Sequence, residues 1–320
     1  MHTVITKSPA AAAEFIKLGG ITAFPTETVY GLGADIFNEA AIAKIFEAKR
    51  RPADNPFIAH IGDLEQISLI AAEIPAHAQK FIEEFFPGPL TVVLPKSPAV
   101  PAAATAGLDT IGVRMPRNET AIEFLKACGT PVAAPSANIS GRPSPTSWQA
   151  VFEDLNSSID CILQGETTEI GLESTVVDCS NGVPMLLRTG AVSLEMLRRI
   201  VPETRINMPH ADEAPRSPGL KHKHYAPNAR VILVDFKSEI SDLKFEISDP
   251  EFQAFIGLNK PKQKFELMKV CVSIEEYAAS FFEFFRECDR RKIDNIYCEV
   301  VNETGIGAAL MDRLRRAAAR

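Results

Sequence analysis

The segment Ala48-Lys49-Arg50-Arg51-Pro52-Ala53-Asp54-Asn55-Pro56-Phe57-Ile58-Ala59-His60 gathers cations, an amide and an imidazole where a helical pattern gives way to an apolar strand. It follows shortly after Pro25-Thr26-Glu27-Thr28-Val29-Tyr30-Gly31-Leu32-Gly33. Three cations in a last helical turn complement the helix dipole, worth roughly 0.3–1 kcal/mol each. Asn55 and His60 directly after them add the polar groups of a polyphosphate site, so an enzyme is the first reading. Arg114 is the next chemical signal. It stands in Thr110-Ile111-Gly112-Val113-Arg114-Met115-Pro116, an otherwise apolar strand pattern, where burying its charge alone would cost several kcal/mol. It therefore needs an anion, either an internal Asp or Glu or a substrate carboxylate.

Further polar clusters end predicted strands: Pro135-Ser136-Ala137-Asn138-Ile139-Ser140-Gly141, Glu173-Ser174-Thr175 and Leu187-Arg188-Thr189-Gly190. Strand ends are where open α/β sheets assemble ligand sites. The familiar nucleotide signatures are missing. Gly31-Leu32-Gly33 has Ile36 where a Rossmann loop needs its third small residue, and Gly305-x-Gly307 has Leu310 there. There is no P-loop, H-E-x-x-H or G-x-S-x-G.

Elements able to hold these groups are legible. Ile42, Ile45, Phe46 and Lys49 recur at helical spacing after Asn38, a cap, and Pro52 stops the run. Strands are expected at 21–24, 57–61, 90–94, 110–115, 132–134, 161–163, 175–178 and 185–187, with helices at 76–86, 119–128 and 147–155 and an amphipathic one from Ala10 to Leu18. From Val201 to Asn228 the periodicity lapses into a proline-rich stretch carrying Lys221, His222, Lys223, His224 and Tyr225. Strands at 230–236, 269–273 and 293–301 with helices at 274–292 and 307–318 then suggest a small parallel sheet.

Composition narrows the class. The chain has 320 residues, 46% hydrophobic and 23% charged, enough for two cores. No apolar run approaches the roughly 20 residues of a membrane span, and the start lacks a signal-peptide core, so a cytoplasmic protein is expected. Six scattered cysteines with no C-x-x-C pair read as reduced and mostly buried. A net charge of −7 argues against indiscriminate coating of nucleic acid.

Taken in order, the motifs above, with Phe86-Pro87-Gly88-Pro89-Leu90-Thr91, Ser217-Pro218-Gly219 and His224-Tyr225-Ala226-Pro227, resemble the YrdC superfamily and its long, two-domain threonylcarbamoyl-AMP synthases. The resemblance implies a YrdC-like twisted mixed sheet with helices and a concave cavity at 1–200. It also implies a basic linker serving as a lid at 201–229 and a small Rossmann-like open-sheet α/β domain at 230–320. The implied reaction joins L-threonine, bicarbonate or CO2 and ATP into L-threonylcarbamoyl-AMP and pyrophosphate, with Mg2+ accompanying the ATP. The product would pass to a transferase complex that modifies tRNAs reading codons that start with A. The resemblance assigns L-threonine to Thr28, His60, Arg114, Ala134 and Ser174. It assigns ATP to Arg51, Asn55, Thr110, Ser136, Ser144, Arg188 and Tyr225, with Lys49 and Arg51 as the catalytic cations. Arg50, where the superfamily has a small residue, is expected at the surface. A double-stranded RNA or tRNA-binding module without turnover, or a carbamoyl-transfer module, are the rival readings. Weak RNA binding is compatible with the first.

Overall fold

In the computed structural model, residues 2–52, 55–207, 225–235 and 252–319 are described. Among them, eleven strands form one mixed sheet and four form a second, wholly parallel one. The large sheet runs Val4–Thr6, Cys161–Leu163, Thr22–Phe24, Gly31–Asp35, Val132–Ala134, Ile58–His60, Thr110–Arg114, Leu90–Pro95, Thr175–Asp178, Met185–Arg188, Arg205–Ile206. Central strands buried along their whole length, such as Val132–Ala134 and Thr175–Asp178, explain why their sequences read as short apolar runs without alternation.

Helices cover both faces, and their ends obey local chemistry. The helix Glu39–Lys49 begins where the Asn38 side chain accepts from the Ala41 N–H at 3.0 Å. It ends at Arg50, whose φ of 49° is left-handed and whose side chain is exposed, as expected. Ile42 and Ile45 of this helix pack into the larger core with Phe57, Phe81 and Leu90. On the opposite face, the helices Pro9–Lys17 and Glu119–Cys128 bury Ile16, Phe124 and Leu125 against Phe24 and Leu163. Asn118 caps the second of these, and Gly129, at φ 71°, stops it.

The second sheet is ordered Arg230–Val234, Asn295–Glu299, Gln253–Gly257, Leu267–Val270. Its core is aromatic: Tyr277, Phe281, Phe282 and Phe285 of the helix Ile274–Arg290 pack with Leu310 and Leu314 of the helix Ile306–Ala318. The parallel sheet matches expectation, and one of its strands does not: Gln253–Gly257 was not anticipated, and the strand expected at 269–273 lies at Leu267–Val270. The Gly31–Asp35 and Val4–Thr6 strands of the large sheet were likewise unread. Gly31 and Gly33 hide the first, because they weaken the strand pattern. They are there for close packing: a Cβ on Gly33 would come within 2.5 Å of Val132 Cγ1. Lys221 to His224 and the Ser217-Pro218-Gly219 turn of the expected lid lie outside the described residues.

Candidate active site

A cleft opens where strand ends of the large sheet meet the loops after Phe24 and Ala134. Parallel pairing sets His60 directly beside Arg114 at the carboxyl ends of their strands. Antiparallel pairing of Val132–Ala134 with Ile58–His60 brings Ala134 opposite Ile58, and an isolated bridge joins Gly31 to Ser136. Three separate motifs are thereby brought to one wall.

Arg114, buried, is held on three sides. Its Nη1 donates to Thr28 Oγ1 at 2.7 Å, its Nε donates to Gly88 O at 3.3 Å, and its Nη2 is 2.7 Å from Glu27 Oε1. Glu27 is the internal anion this strand cation required. The arginine still lines the cleft. His60 sits against the edge of the Phe24 ring at 5.6 Å, with Nδ1 3.2 Å from Ile58 O. Burial, reinforced by the nearby Arg114 charge, pushes the imidazole down from 6.5 to about 3. His60 is thus neutral at physiological pH.

Elsewhere in the lining, Arg188 Nε donates to Ser174 O at 3.0 Å and its Nη2 donates to Ser174 Oγ at 3.1 Å, while Thr91 Oγ1 is 2.8 Å from the same hydroxyl. A Cβ on Gly190 would meet the Thr175 backbone N at 2.3 Å, so only glycine lets the Arg188 strand end approach this closely. Glu173 accepts from Ser144 Oγ at 2.6 Å and from Arg313 Nε at 3.0 Å. Burial disfavours its charge, but Arg313, Arg188 and the bond from Ser144 outweigh that and hold the carboxyl below its usual range. Arg51 lies 5.2 Å over the Phe57 ring and donates to the carbonyls of Asn55 and Pro56. The cleft therefore offers buried guanidinium groups, paired hydroxyls and a neutral imidazole, suited to an anionic substrate that also carries hydroxyls.

Two family profiles match the chain. One, described as telomere recombination and named for Sua5, YciO and YrdC, matches residues 14–190. The other, described as the C-terminal domain of threonylcarbamoyl-AMP synthase, matches residues 192–319. The threonylcarbamoyl-AMP synthase of Pyrococcus abyssi is 44% identical over 96% of this chain and 92% of its own. The chain belongs to the threonylcarbamoyl-AMP synthase family. It is accordingly an enzyme of the nucleotidyltransferase type. The Bacillus subtilis threonylcarbamoyl-AMP synthase is 38% identical over 97% of this chain and 92% of its own. The crystal structure of Pyrococcus abyssi Sua5 complexed with L-threonine superposes with a TM-score of 0.90 at 43% identity, covering 99% of this chain and 97% of that one. Escherichia coli YciO, 24% identical with a TM-score of 0.54, shares the fold over 61% of this chain and 98% of its own.

Within this family site, all residues expected to meet threonine, Thr28, His60, Arg114, Ala134 and Ser174, line the cleft. Arg51, Ser136, Ser144, Arg188 and Tyr225 of the ATP set line it too. Lys49, Asn55 and Thr110 are not among its lining residues. Thr110 borders a smaller neighbouring cavity with Pro56, Ile58 and Val176. Lys49 is fully buried, and its Nζ donates to the carbonyls of Ser136 and Asn138, tying down the loop that presents Ser136. Burial, with the Arg51 charge adding to it, drives that amine well below its usual range.

Sequence reading passed over Glu27, Glu173 and Arg313. The first two stand inside motifs it quoted. Arg313 carries no local signal, because its partner is 140 residues away. Among the described residues no group of three or more His, Cys, Asp or Glu could hold a metal ion. Glu173, the carboxylate among the lining residues, is committed to Arg313, and Glu27 next to the cleft to Arg114, so the described residues do not supply the oxygen set that Mg2+ takes.

The buried neutral imidazole has a measurable consequence. The unfolded chain binds a proton at His60 below about 6.5, whereas the folded one does so only near about 3, so stability is full above 6.5 and falls as pH drops through that window. The His60→Gln variant should lose stability more gently between pH 6 and 4, by about 1.4 kcal/mol per pH unit. Urea unfolding at stepped pH checks this, and parallel slopes for the two proteins would refute it.

Proposed function

We propose that this cleft makes L-threonylcarbamoyl-AMP and pyrophosphate from L-threonine, bicarbonate or CO2, and ATP, as the first step of threonylcarbamoyl modification of tRNAs that read codons starting with A. The catalytic domain expected at 1–200 then extends through Arg205–Ile206, the edge strand of its sheet, so the linker expected at 201–229 begins after that strand, with 230–320 as the second domain. The observation that carries the reading is the convergence on one cleft of Arg114, Thr28, His60 and Ser174 with Arg51, Arg188 and Tyr225. The solved relative bound to L-threonine supports threonine as the amino acid. Mg2+ enters with ATP as part of that substrate.

In the chemistry, the threonine nitrogen forms a bond to the carbon of CO2 and loses a proton to solvent, giving a carbamate. A carbamate oxygen then attacks the α-phosphorus. The bond from that phosphorus to the bridging oxygen breaks, and pyrophosphate departs with the electron pair. Both reactants are anionic. Arg114 neutralises the threonine carboxylate, while Arg51 and Arg188 offset charge on the phosphates, so that attacker and phosphorus can be held in line. Lys49 contributes by fixing the 136–138 loop through its two carbonyl bonds. Neutral His60 adds no charge beside the attacking nitrogen.

Among the described residues no helix is long and apolar enough to cross a membrane, and the six cysteines are free and buried, in keeping with a cytoplasmic enzyme. The test is pyrophosphate release from Mg·ATP in bicarbonate, with and without L-threonine. Release that requires threonine is expected. Pyrophosphate release from ATP that requires carbamoyl phosphate and not threonine or bicarbonate, or RNA binding without turnover, would replace this reading with one of its rivals.

A further inference from the structure

Arg313, on the helix Ile306–Ala318, is wholly buried and reaches residues that form the wall of the cleft. Its Nε donates to Glu173 Oε2 at 3.0 Å, and its Nη2 donates to Thr189 O at 2.9 Å, beside Arg188. Its guanidinium carbon lies 5.6 Å from the centre of the Tyr225 ring, and Nη1 donates to Asp312 at 2.7 Å. Glu173, Arg188 and Tyr225 all line the cleft, so one side chain from the far end of the chain braces three parts of its wall.

Holding the two domains together does not require this. A second buried pair already does so: Arg286 donates to Asp154 Oδ2 at 2.9 Å and to Pro143 O at 2.6 Å, and Asp154 is not among the cleft residues. Arg313 differs in what it controls. An ionised carboxylate can only accept, so Glu173, locked by Arg313, takes the hydrogen of Ser144 at 2.6 Å. The Ser144 oxygen is left with lone pairs to offer the cleft. A hydroxyl in that state accepts from an O–H or N–H and repels a phosphate oxygen, which means it reads the ribose or base of a nucleotide and not its phosphates.

We propose that Arg313 is a positioning residue for the nucleotide, through which the second domain becomes part of the active site: it orients Ser144 by way of Glu173, steadies the Arg188 strand end through Thr189 and backs the Tyr225 ring. The inference rests on the ATP reading above and assigns the second domain a role in it.

The experiment compares Arg313→Gln with Arg286→Met in the full-length protein, measuring both KM values from pyrophosphate release, ATP affinity by titration calorimetry, and thermal stability. Arg313→Gln should weaken ATP by roughly tenfold to a hundredfold, the usual worth of hydrogen bonds to charged groups, with threonine KM unchanged within about twofold. Arg313→Lys, which keeps the charge beside Glu173 but cannot also reach Thr189 with a planar fork, should recover part of the loss. Arg286→Met should lower the melting temperature and leave both KM values alone. The proposal is overturned if Arg313→Gln changes only stability, if it weakens threonine as much as ATP, or if Arg286→Met reproduces its ATP defect. Absence of threonine-dependent turnover in the wild-type protein would instead reject the reaction, and calorimetry with ATP alone would still report on Arg313.

Discussion

Replacing Arg114 with alanine should weaken L-threonine binding by about a hundredfold to a few thousandfold while leaving ATP affinity nearly unchanged. The magnitude follows from removing one partner of a buried charge pair, about 3–5 kcal/mol. Glu27 complicates the variant, since losing Arg114 strands a carboxylate that is 2% exposed and 2.7 Å from the guanidinium. Glu27→Gln separates the two effects. It removes the competing anion and leaves the guanidinium in place, bonded to Thr28 and Gly88. Threonine should then bind at least as tightly as to the wild-type protein. Calorimetry on both variants decides the matter: unchanged threonine affinity in Arg114→Ala, or a loss in Glu27→Gln equal to that of Arg114→Ala, would show that the pair is a structural strut and not the carboxylate site.

Valine should be a far poorer substrate than threonine, and serine should fall between them. The part of the cleft proposed for the amino acid is built of hydroxyls and one neutral imidazole: Thr28 accepts from Arg114, Ser174 accepts from Arg188, and His60 stays uncharged. An isostere without a hydroxyl leaves such groups unsatisfied in a buried site, which can cost up to roughly 10⁴-fold in kcat/KM. Serine keeps the hydroxyl and forfeits only a methyl contact, of order 1–3 kcal/mol or about 10–200-fold. Competition assays of pyrophosphate release with the three amino acids would reveal the order. Equal rates with valine and threonine would mean that the wall reads shape alone.

Local rules made much of this protein legible from its residues. Asn38 announces a helix start because a short polar side chain can cap free N–H groups within one turn, and it does so at the position expected; Asn118 and Ser147 do the same for the helices Glu119–Cys128 and Trp148–Leu155. The motifs that end strands already marked Arg114, Ser174 and Arg188 as chemistry, since charged or hydroxyl groups beside apolar runs have no use in a core. The family and its fold were legible in the same motifs. What the chain order could not disclose was which groups satisfy one another. Burial of Arg114 demanded an anion, but its choice of Glu27 depends on the strand order of the sheet, which brings the loop between Thr22–Phe24 and Gly31–Asp35 to the end of the Thr110–Arg114 strand. The Gly31–Asp35 strand is visible only in three dimensions, because its glycines serve the packing of Val132 and Phe24 and carry no pattern of their own. Lys49 is the sharpest case: its sequence neighbours suggest a phosphate cation, yet the fold turns its amine onto two loop carbonyls. Arg313 reaches Glu173 across 140 residues. Propensity and capping act over a few residues and can be read along the chain, whereas the neutralisation of a buried charge acts through space, and only the tertiary structure decides where its partner stands.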